Sequence, residues 1–259
     1  MKKFLILFLG FCLSIITVYA KDFRFVQVTD ARYSAENDNG ILQNVIDDIN
    51  KQRDVKFVVF TGDSLDKPQN DNLKGFIKTA NNLNKPYYIV LGDKDVNKHK
   101  DMSKNQFIKY VRKHTKNHKA KTMNYVFEKQ GIVFIVADGS KDVIPSTIGY
   151  YKDNVIEWVD ATLDLYPNKN VVILQHFPII PPSDRESYYT YKADVYLDML
   201  KKHSNVKAVI SGHFGVDKEI IQDGVTHIST SPLPNYKIID ILDCETSNPT
   251  IWSQIRKVN

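Results

Sequence analysis

The chain has 259 residues, 42% of them hydrophobic and 25% charged, with a formal net charge of +5. That length suits one α/β domain with a sizeable core, and the charge falls short of the strong basic field that nucleic-acid binding requires. The one dense basic run, residues 98–121, interleaves lysines with His99, His114 and His118 at no metal-ligand spacing and reads as a solvated loop and helix surface.

Residues 1–20 have the pattern of an export signal. Lys2 and Lys3 precede an apolar run over 4–18, and Val18-Tyr19-Ala20 offers a processing site. The expectation is cleavage after Ala20, an exported protein in the periplasm or outside the cell, and a single domain over 21–259. The alternative is an uncleaved N-terminal anchor, because the run is only a little shorter than the roughly 20 residues that span a bilayer. Bulky Phe11 before Cys12 argues against a lipid anchor. Cleavage would also leave Cys244 as the sole cysteine, so stability is expected to come from a buried core and not from disulfides.

From residue 23 onward, β-branched and aromatic runs alternate with helical patterns: strand over 23–29, helix over 41–53, strand over 55–60, helix over 73–83 and strand over 87–91. Crossover helices between strands imply a parallel sheet with its functional loops at the strands' carboxyl ends. Near Asn124 the character changes, and runs over 125–127 and 132–137 flank Gln130-Gly131 as a hairpin. A helix over 154–165, a strand over 171–174, a helix over 195–202 and a strand over 206–210 follow. Short strands around Ile228, 238–242 and 251–255 complete the chain. Antiparallel strands added late to an early parallel set predict an α/β fold of two packed mixed sheets with outer helices.

Five strand ends carry polar groups: Thr29-Asp30-Ala31-Arg32, Thr61-Gly62-Asp63, Gly92-Asp93-Lys94-Asp95, Gln175-His176-Phe177-Pro178 and Ser211-Gly212-His213-Phe214-Gly215. Any one of them alone is ordinary turn chemistry. Five in succession on parallel strands bring Asp30, Asp63, Asp93, His176 and His213 to the same sheet edge, where a divalent cation would relieve the crowding of carboxylates.

At these residues the sequence resembles the calcineurin-like metallophosphoesterases, whose motifs run D-x-H, G-D, G-N-H-D, a lone His and G-H-x-H. The order is kept from Asp30 to Gly215, and Ile156-Glu157-Trp158-Val159 opens a helix similar to the one between the family's third and fourth motifs. The resemblance implies a four-layer sandwich of two mixed β-sheets flanked by helices. It also implies paired metal ions that activate water for attack on phosphorus, helped by a third-motif His at the leaving oxygen.

The departures fall together. Arg32 stands where the family has its first-motif His, Asp93 replaces Asn, Lys94 replaces the catalytic His, and Gly215 replaces the second His of the fifth motif. Carried over position by position, both missing imidazoles belong to one metal site, which retains only Asp30 and the bridging Asp63. The other site retains Asp63, Asp93, His176 and His213. One divalent transition metal is therefore expected, with zinc, iron or manganese suited to two carboxylate oxygens and two imidazole nitrogens. Arg32 is expected to span Asp30 and Asp63 with its planar fork in place of the second ion, or else to face solvent.

Two functions are compatible with this pattern. In one, a single metal supports hydrolysis of a phosphate ester while Arg32 and Lys94 stabilise the transferring phosphoryl group, with Lys94 a candidate proton donor. In the other, a catalytically impaired relative binds an anionic ligand or a protein partner. The expected partner is a small phosphorylated substrate or anionic ligand, without nucleic acid and, once the signal is removed, without stable membrane insertion. Residues 183–192, with Tyr188, Tyr189 and Tyr191, read as a pocket wall for an aromatic group or as a surface loop whose tyrosines pack locally.

Overall fold

The computed structural model describes residues 22–100 and 102–258, so the expected signal over 1–20 lies outside the described residues. The first half alternates as its hydrophobic periods require: β1 (Phe23–Val28), α1 (Ile41–Lys51), β2 (Val55–Thr61), α2 (Asn70–Ala80), β3 (Tyr87–Val90) and α3 (Lys104–His114). β4 (Tyr125–Lys129) and β5 (Ile132–Val136) form the expected hairpin. Gln130 and Gly131 both adopt positive φ there, as a tight two-residue turn demands. Next come β6 (Gly149–Tyr150), α4 (Asp153–Asp164), β7 (Val171–Leu174), β8 (Thr190–Tyr191), α5 (Ala193–Leu200) and β9 (Val206–Ser211). The chain ends in β10 (Lys218–Gln222), β11 (Val225–Ser229), β12 (Asn235–Leu242) and β13 (Thr250–Lys257).

Two mixed sheets result. One is ordered β13-β12-β1-β2-β3, the other β10-β11-β9-β7-β5-β4, and β6 pairs with β8 in a small third sheet. β1, β2 and β3 run parallel, as do β5, β7, β9 and β11, so both sheets deliver carboxyl ends to loops. Alternation along β1 puts Phe23 and Phe25 between the sheets and Val26 and Val28 against the outer helices. The interlayer core is aromatic, with Phe57 stacked on Phe25 at 4.9 Å and edge-on to Phe134 at 5.0 Å. Leu42, Phe76 and Phe107 cover the outer face of the first sheet from α1, α2 and α3, while Val159 and Met199 cover the second from α4 and α5. The four expected layers are present.

The basic run over 98–121 proves more structured than a solvated surface. Ser103 caps α3, its backbone N–H donating to the Gln106 side chain at 2.8 Å, and Phe107, Ile108 and Val111 bury one face of the helix. The lysines dominate the composition and mask that stripe. Among the described residues no helix is long and apolar enough to cross a membrane.

Polar ties also join the layers. Gln27, buried between the sheets, donates from Nε2 to Thr61 Oγ1 at 2.8 Å and to the Ser211 carbonyl at 2.7 Å, and its Oε1 accepts from Thr230 Oγ1 at 2.7 Å. It locks the ends of β2 and β9 together immediately below the polar loops. Lys237 of β12 is buried with Nζ 2.5 Å from Asp217 at the start of β10.

Two buried imidazoles make the fold sensitive to acid. Burial, helped by Arg112, lowers the His118 pKa to about 4, and burial likewise lowers that of His227 to about 4. Between the ordinary value near 6.5 and about 4, the unfolded chain binds protons that the folded chain refuses, so stability present above pH 6.5 is lost as the pH falls through that window. His118→Phe keeps a ring against Tyr125, whose centroid is 4.8 Å away. The variant should lose less stability than the parent between pH 6.5 and 4, by up to about 3 kcal/mol, in urea titrations at each pH. Parallel pH profiles for the two proteins would contradict this reading.

Candidate metal centre

The site is built from strand ends that bend sharply. Asp30, Arg32, Asp63 and His213 all have positive φ. The turns are held by backbone bonds, with Asp30 N–H donating to the Gly62 carbonyl at 3.0 Å, Arg32 N–H to that of Asp63 at 2.9 Å, and Gly212 N–H to that of His176 at 3.0 Å. The last of these joins adjacent strand ends of the second sheet. Two glycines permit the close approach. A Cβ on Gly62, whose φ is 91°, would collide with the His176 ring, and one on Gly212 would collide with Thr29 Oγ1.

The imidazoles are oriented by carbonyl groups. His176 Nδ1 lies 2.8 Å from the Thr61 carbonyl oxygen, and His213 Nε2 lies 2.7 Å from that of Thr147. A carbonyl oxygen only accepts, so each of those nitrogens carries the proton and the other nitrogen of each ring is turned into the site. His176 Nε2 and His213 Nδ1 are 3.1 Å apart, and Asp93 Oδ1 lies 3.4 Å from the first and 3.2 Å from the second. That Asp93 oxygen is buried and makes no hydrogen bond. His176 Nε2 is also 3.5 Å from Asp63 Oδ1.

Ligand atoms converge in two overlapping groups, Asp93-His176-His213 and Asp30-Asp63-His176, each within 4.8 Å. The four residues expected to hold the metal do not form one group: Asp93 gathers with His176 and His213, whereas Asp63 falls with Asp30 and His176. Ring nitrogens tied off by carbonyls and a buried carboxylate oxygen facing the two free ring nitrogens are the outer and inner features of a metal-ligand set, so the residues fit a divalent ion. The electrostatics agree. Burial, together with Asp93 and Asp30, pushes the Asp63 carboxyl well above its ordinary range, against the opposing pull of His176. Burial disfavours charge on His176, but Asp63, followed by Asp93 and Asp30, outweighs it and raises the imidazole to about 10. The buried carboxylates thus favour positive charge beside them.

Asp30 is already satisfied. Its Oδ2 accepts from Thr29 Oγ1 at 2.8 Å and from His213 N–H at 3.0 Å, and its Oδ1 accepts from Arg32 Nη2 at 3.3 Å. The expected fork across two carboxylates is not formed: among the ion pairs of the described residues Arg32 joins Asp30 alone, and Asp63 acts on it only through its longer-range field. The reason is that Asp63 Oδ1 is engaged by the Lys94 backbone N–H at 2.9 Å and turned toward His176. The Arg32 side chain is 44% exposed, so it occupies the mouth of the site and not its floor.

Two contributors, Asp95 and Thr147, escaped the sequence reading. Asp95 is fully buried, accepts from the Gly92 and Leu65 N–H groups at 2.8 and 2.9 Å, and holds the turn that presents Asp93. Burial lifts its carboxyl to about 6 against those two bonds. Thr147 orients His213 from a loop 66 positions away. Of the three tyrosines, Tyr188 packs against His213 at 4.7 Å and walls the site, Tyr189 stacks on Phe214, and Tyr191 lies against Tyr150. The Asp95 turn bond was signalled by G-D-x-D, whereas Thr147 had no local signal; of the two readings of the 183–192 segment, Tyr188 follows the pocket wall and Tyr189 and Tyr191 the local packing.

Residues 23–217 match the model of the calcineurin-like phosphoesterase family. The chain belongs to that family. Among curated proteins it is similar to the uncharacterized protein YvnB of Bacillus subtilis (strain 168), 26% identical over 204 residues that make up 75% of this chain and 16% of that protein. It is also similar to a probable glycerophosphodiester phosphodiesterase, GpdQ, of Arcobacter nitrofigilis, 27% identical over 160 residues, or 60% of this chain and 55% of that protein. The chain spans about half the length or less of these curated relatives. In fold it is similar to a dimetal phosphatase from Danio rerio, with a TM-score of 0.67 at 14% identity, covering 92% of this chain and 99% of that one.

Proposed function

We propose that this member of the calcineurin-like phosphoesterases hydrolyses a phosphate ester with one divalent transition metal, zinc, iron or manganese, held by Asp63, Asp93, His176 and His213. The observation that carries the reading is the convergence of His176 Nε2, His213 Nδ1 and the buried Asp93 Oδ1, which faces both ring nitrogens, with both remaining ring nitrogens tied to carbonyls. When bound, such an ion supplies Lewis acidity for water activation and for polarising a phosphoryl oxygen.

The chain's own groups do the rest. Arg32 uses one Nη on Asp30 and keeps further donors for phosphoryl oxygens at the site's mouth, where its positive charge replaces part of a missing second ion. Lys94 adds a second fixed charge at the position where the family carries its catalytic His, and it is the candidate for protonating the leaving oxygen. Tyr188 limits how the alcohol portion enters. Purified protein should contain close to one equivalent of metal and should hydrolyse p-nitrophenyl phosphate or its diester with zinc, manganese or iron present. Two tightly bound equivalents would sink the single-metal reading. Metal binding without turnover on either ester would favour the alternative, an impaired enzyme that binds an anionic ligand, to which the Arg32–Asp30 ion pair also lends support.

The Arg32 pair has a measurable consequence. Arg32→Ala leaves Asp30 two of its three hydrogen-bond donors, and the lost partner is half in solvent, so the cost should be about 1–2 kcal/mol and not the larger penalty of a fully buried pair. Arg32→His with Gly215→His should restore two imidazoles and a second metal equivalent. A Cβ at Gly215 meets only Pro232 Cδ at 4.0 Å, so there is room, though its φ of 70° costs about 1–2 kcal/mol for any residue with a side chain. Metal analysis of the double variant decides the matter; a single equivalent would mean that the second site needs more than its imidazoles.

A further inference from the structure

The loop over 141–148 stands at the rim of the site and presents apolar side chains to solvent. Ile144 is 76% exposed and Val143 51%, with Ile148 and Tyr191 also exposed beside them. The loop is not loose. Its Asp142 carbonyl accepts from Lys98 N–H at 2.6 Å, Thr147 Oγ1 donates to the Ser187 carbonyl at 2.8 Å, and its far end continues into β6, paired with β8. An anchored loop that leaves two adjacent branched apolar residues in water costs solvation free energy, which contact with an apolar phase would recover.

The surroundings are cationic and aromatic. Lys141 Nζ lies 5.5 Å over the Tyr150 ring, Lys192 Nζ lies 5.8 Å over the Tyr191 ring, and those two rings are 5.7 Å apart. Lys98, His99 and Lys100 are exposed in the short helical turn that contacts the loop. Of the nearby acids, Asp142 Oδ2 accepts from Lys104 N–H at 3.2 Å and Asp153 lies 3.8 Å from Lys192, while Asp184 and Glu186, on either side of the exposed Arg185, are in solvent. Apolar tips ringed by lysine and tyrosine match a lipid interface, where aliphatic groups enter the acyl boundary while rings and ammonium groups stay at headgroup level. We propose that this loop docks the protein on an anionic lipid surface. A protein partner fits less well, because a stable interface takes roughly 20–30 residues a side, whereas a few inserted side chains with surrounding lysines suffice at a membrane. The same loop supplies the carbonyl that orients His213, so docking would bring the mouth of the site to the surface.

The test uses the chain from Lys21 onward, because every described strand and helix lies within it and residues 1–20 would bind lipid themselves. Sedimentation with phosphatidylglycerol vesicles should show binding that phosphatidylcholine vesicles do not support and that rising salt weakens. Ile144→Ser combined with Val143→Ser should weaken it by about tenfold or more, since binding scales with the apolar area inserted. Ile221→Ser is the control: that residue is also 76% exposed, on β10, and its loss should leave binding unchanged. Absence of binding to anionic vesicles, or equal weakening by the control, would overturn the proposal. So would concentration-dependent self-association abolished by Ile144→Ser, which would make the loop a contact between copies of this chain.

Discussion

His176→Ala should strip the protein of its metal and of metal-dependent hydrolysis together. The side chain is fully buried, belongs to both convergent groups of ligand atoms, and faces Asp63 and Asp93 through the same nitrogen. Losing an outer partner of a ligand costs roughly 10–100-fold in metal affinity or activity, and losing this shared ligand should cost more than that. Calorimetry of zinc or manganese binding reads the effect directly. A thermal-shift titration reads it through linkage: the parent should gain about 2.7 kcal/mol at a metal concentration one hundred times its Kd, and the variant nothing over the same range. Variant protein that retained the metal-induced shift would place the centre elsewhere.

The second large effect concerns the joint between the sheets. Phe57 has no exposed surface and packs with five rings, those of Phe23, Phe25, Tyr88, Phe127 and Phe134, at centroid distances of 4.9–5.9 Å. These come from both sheets, so no single strand can shift to refill the space. Phe57→Ala should therefore destabilise by about 3–5 kcal/mol. In a chain of this size each kcal/mol lowers Tm by about 2–4 °C, so the expected fall is roughly 6–20 °C. Ile221→Ala, at an exposed site, should stay within about 0.5 kcal/mol of the parent. A fall of only a degree or two for Phe57→Ala would mean that the aromatic layer is not what binds the sheets together.

Much of the architecture is local information. The β-branched and aromatic runs of β1, β2 and β9, the helical stripes of α1, α2 and α4, and the turn at Gln130-Gly131 each depend on neighbouring residues, and their observed limits fall within a few positions of those expected. α3 is the exception, its apolar stripe of Phe107, Ile108 and Val111 outnumbered by basic and polar residues. The short β6 and β8 also escaped notice, because a two-residue strand has no period to detect.

The site divides along the same line. Which residue types stand at the strand ends was legible, but not the single edge expected for them: Asp30, Asp63 and Asp93 follow strands of the first sheet and His176 and His213 strands of the second, and only the packing of the two sheets brings them together. Nor was the way they meet. That Arg32 pairs with Asp30 and leaves Asp63 to the Lys94 N–H is a choice among acceptors which only the folded backbone places within reach. The nitrogen that His213 presents is chosen by a carbonyl on the 141–148 loop, and the exposure of Ile144 on that loop depends on what packs around it. Sequence by itself determined the order of elements and the chemical types at the strand ends, because strand period, helix period and turn chemistry act over a few residues. Tertiary structure alone decided tautomers, ion-pair partners and the apolar rim, because each depends on distant groups: even the Arg32–Asp30 pair, two positions apart, is left to Asp30 because the Lys94 N–H, 31 positions from Asp63, engages Asp63.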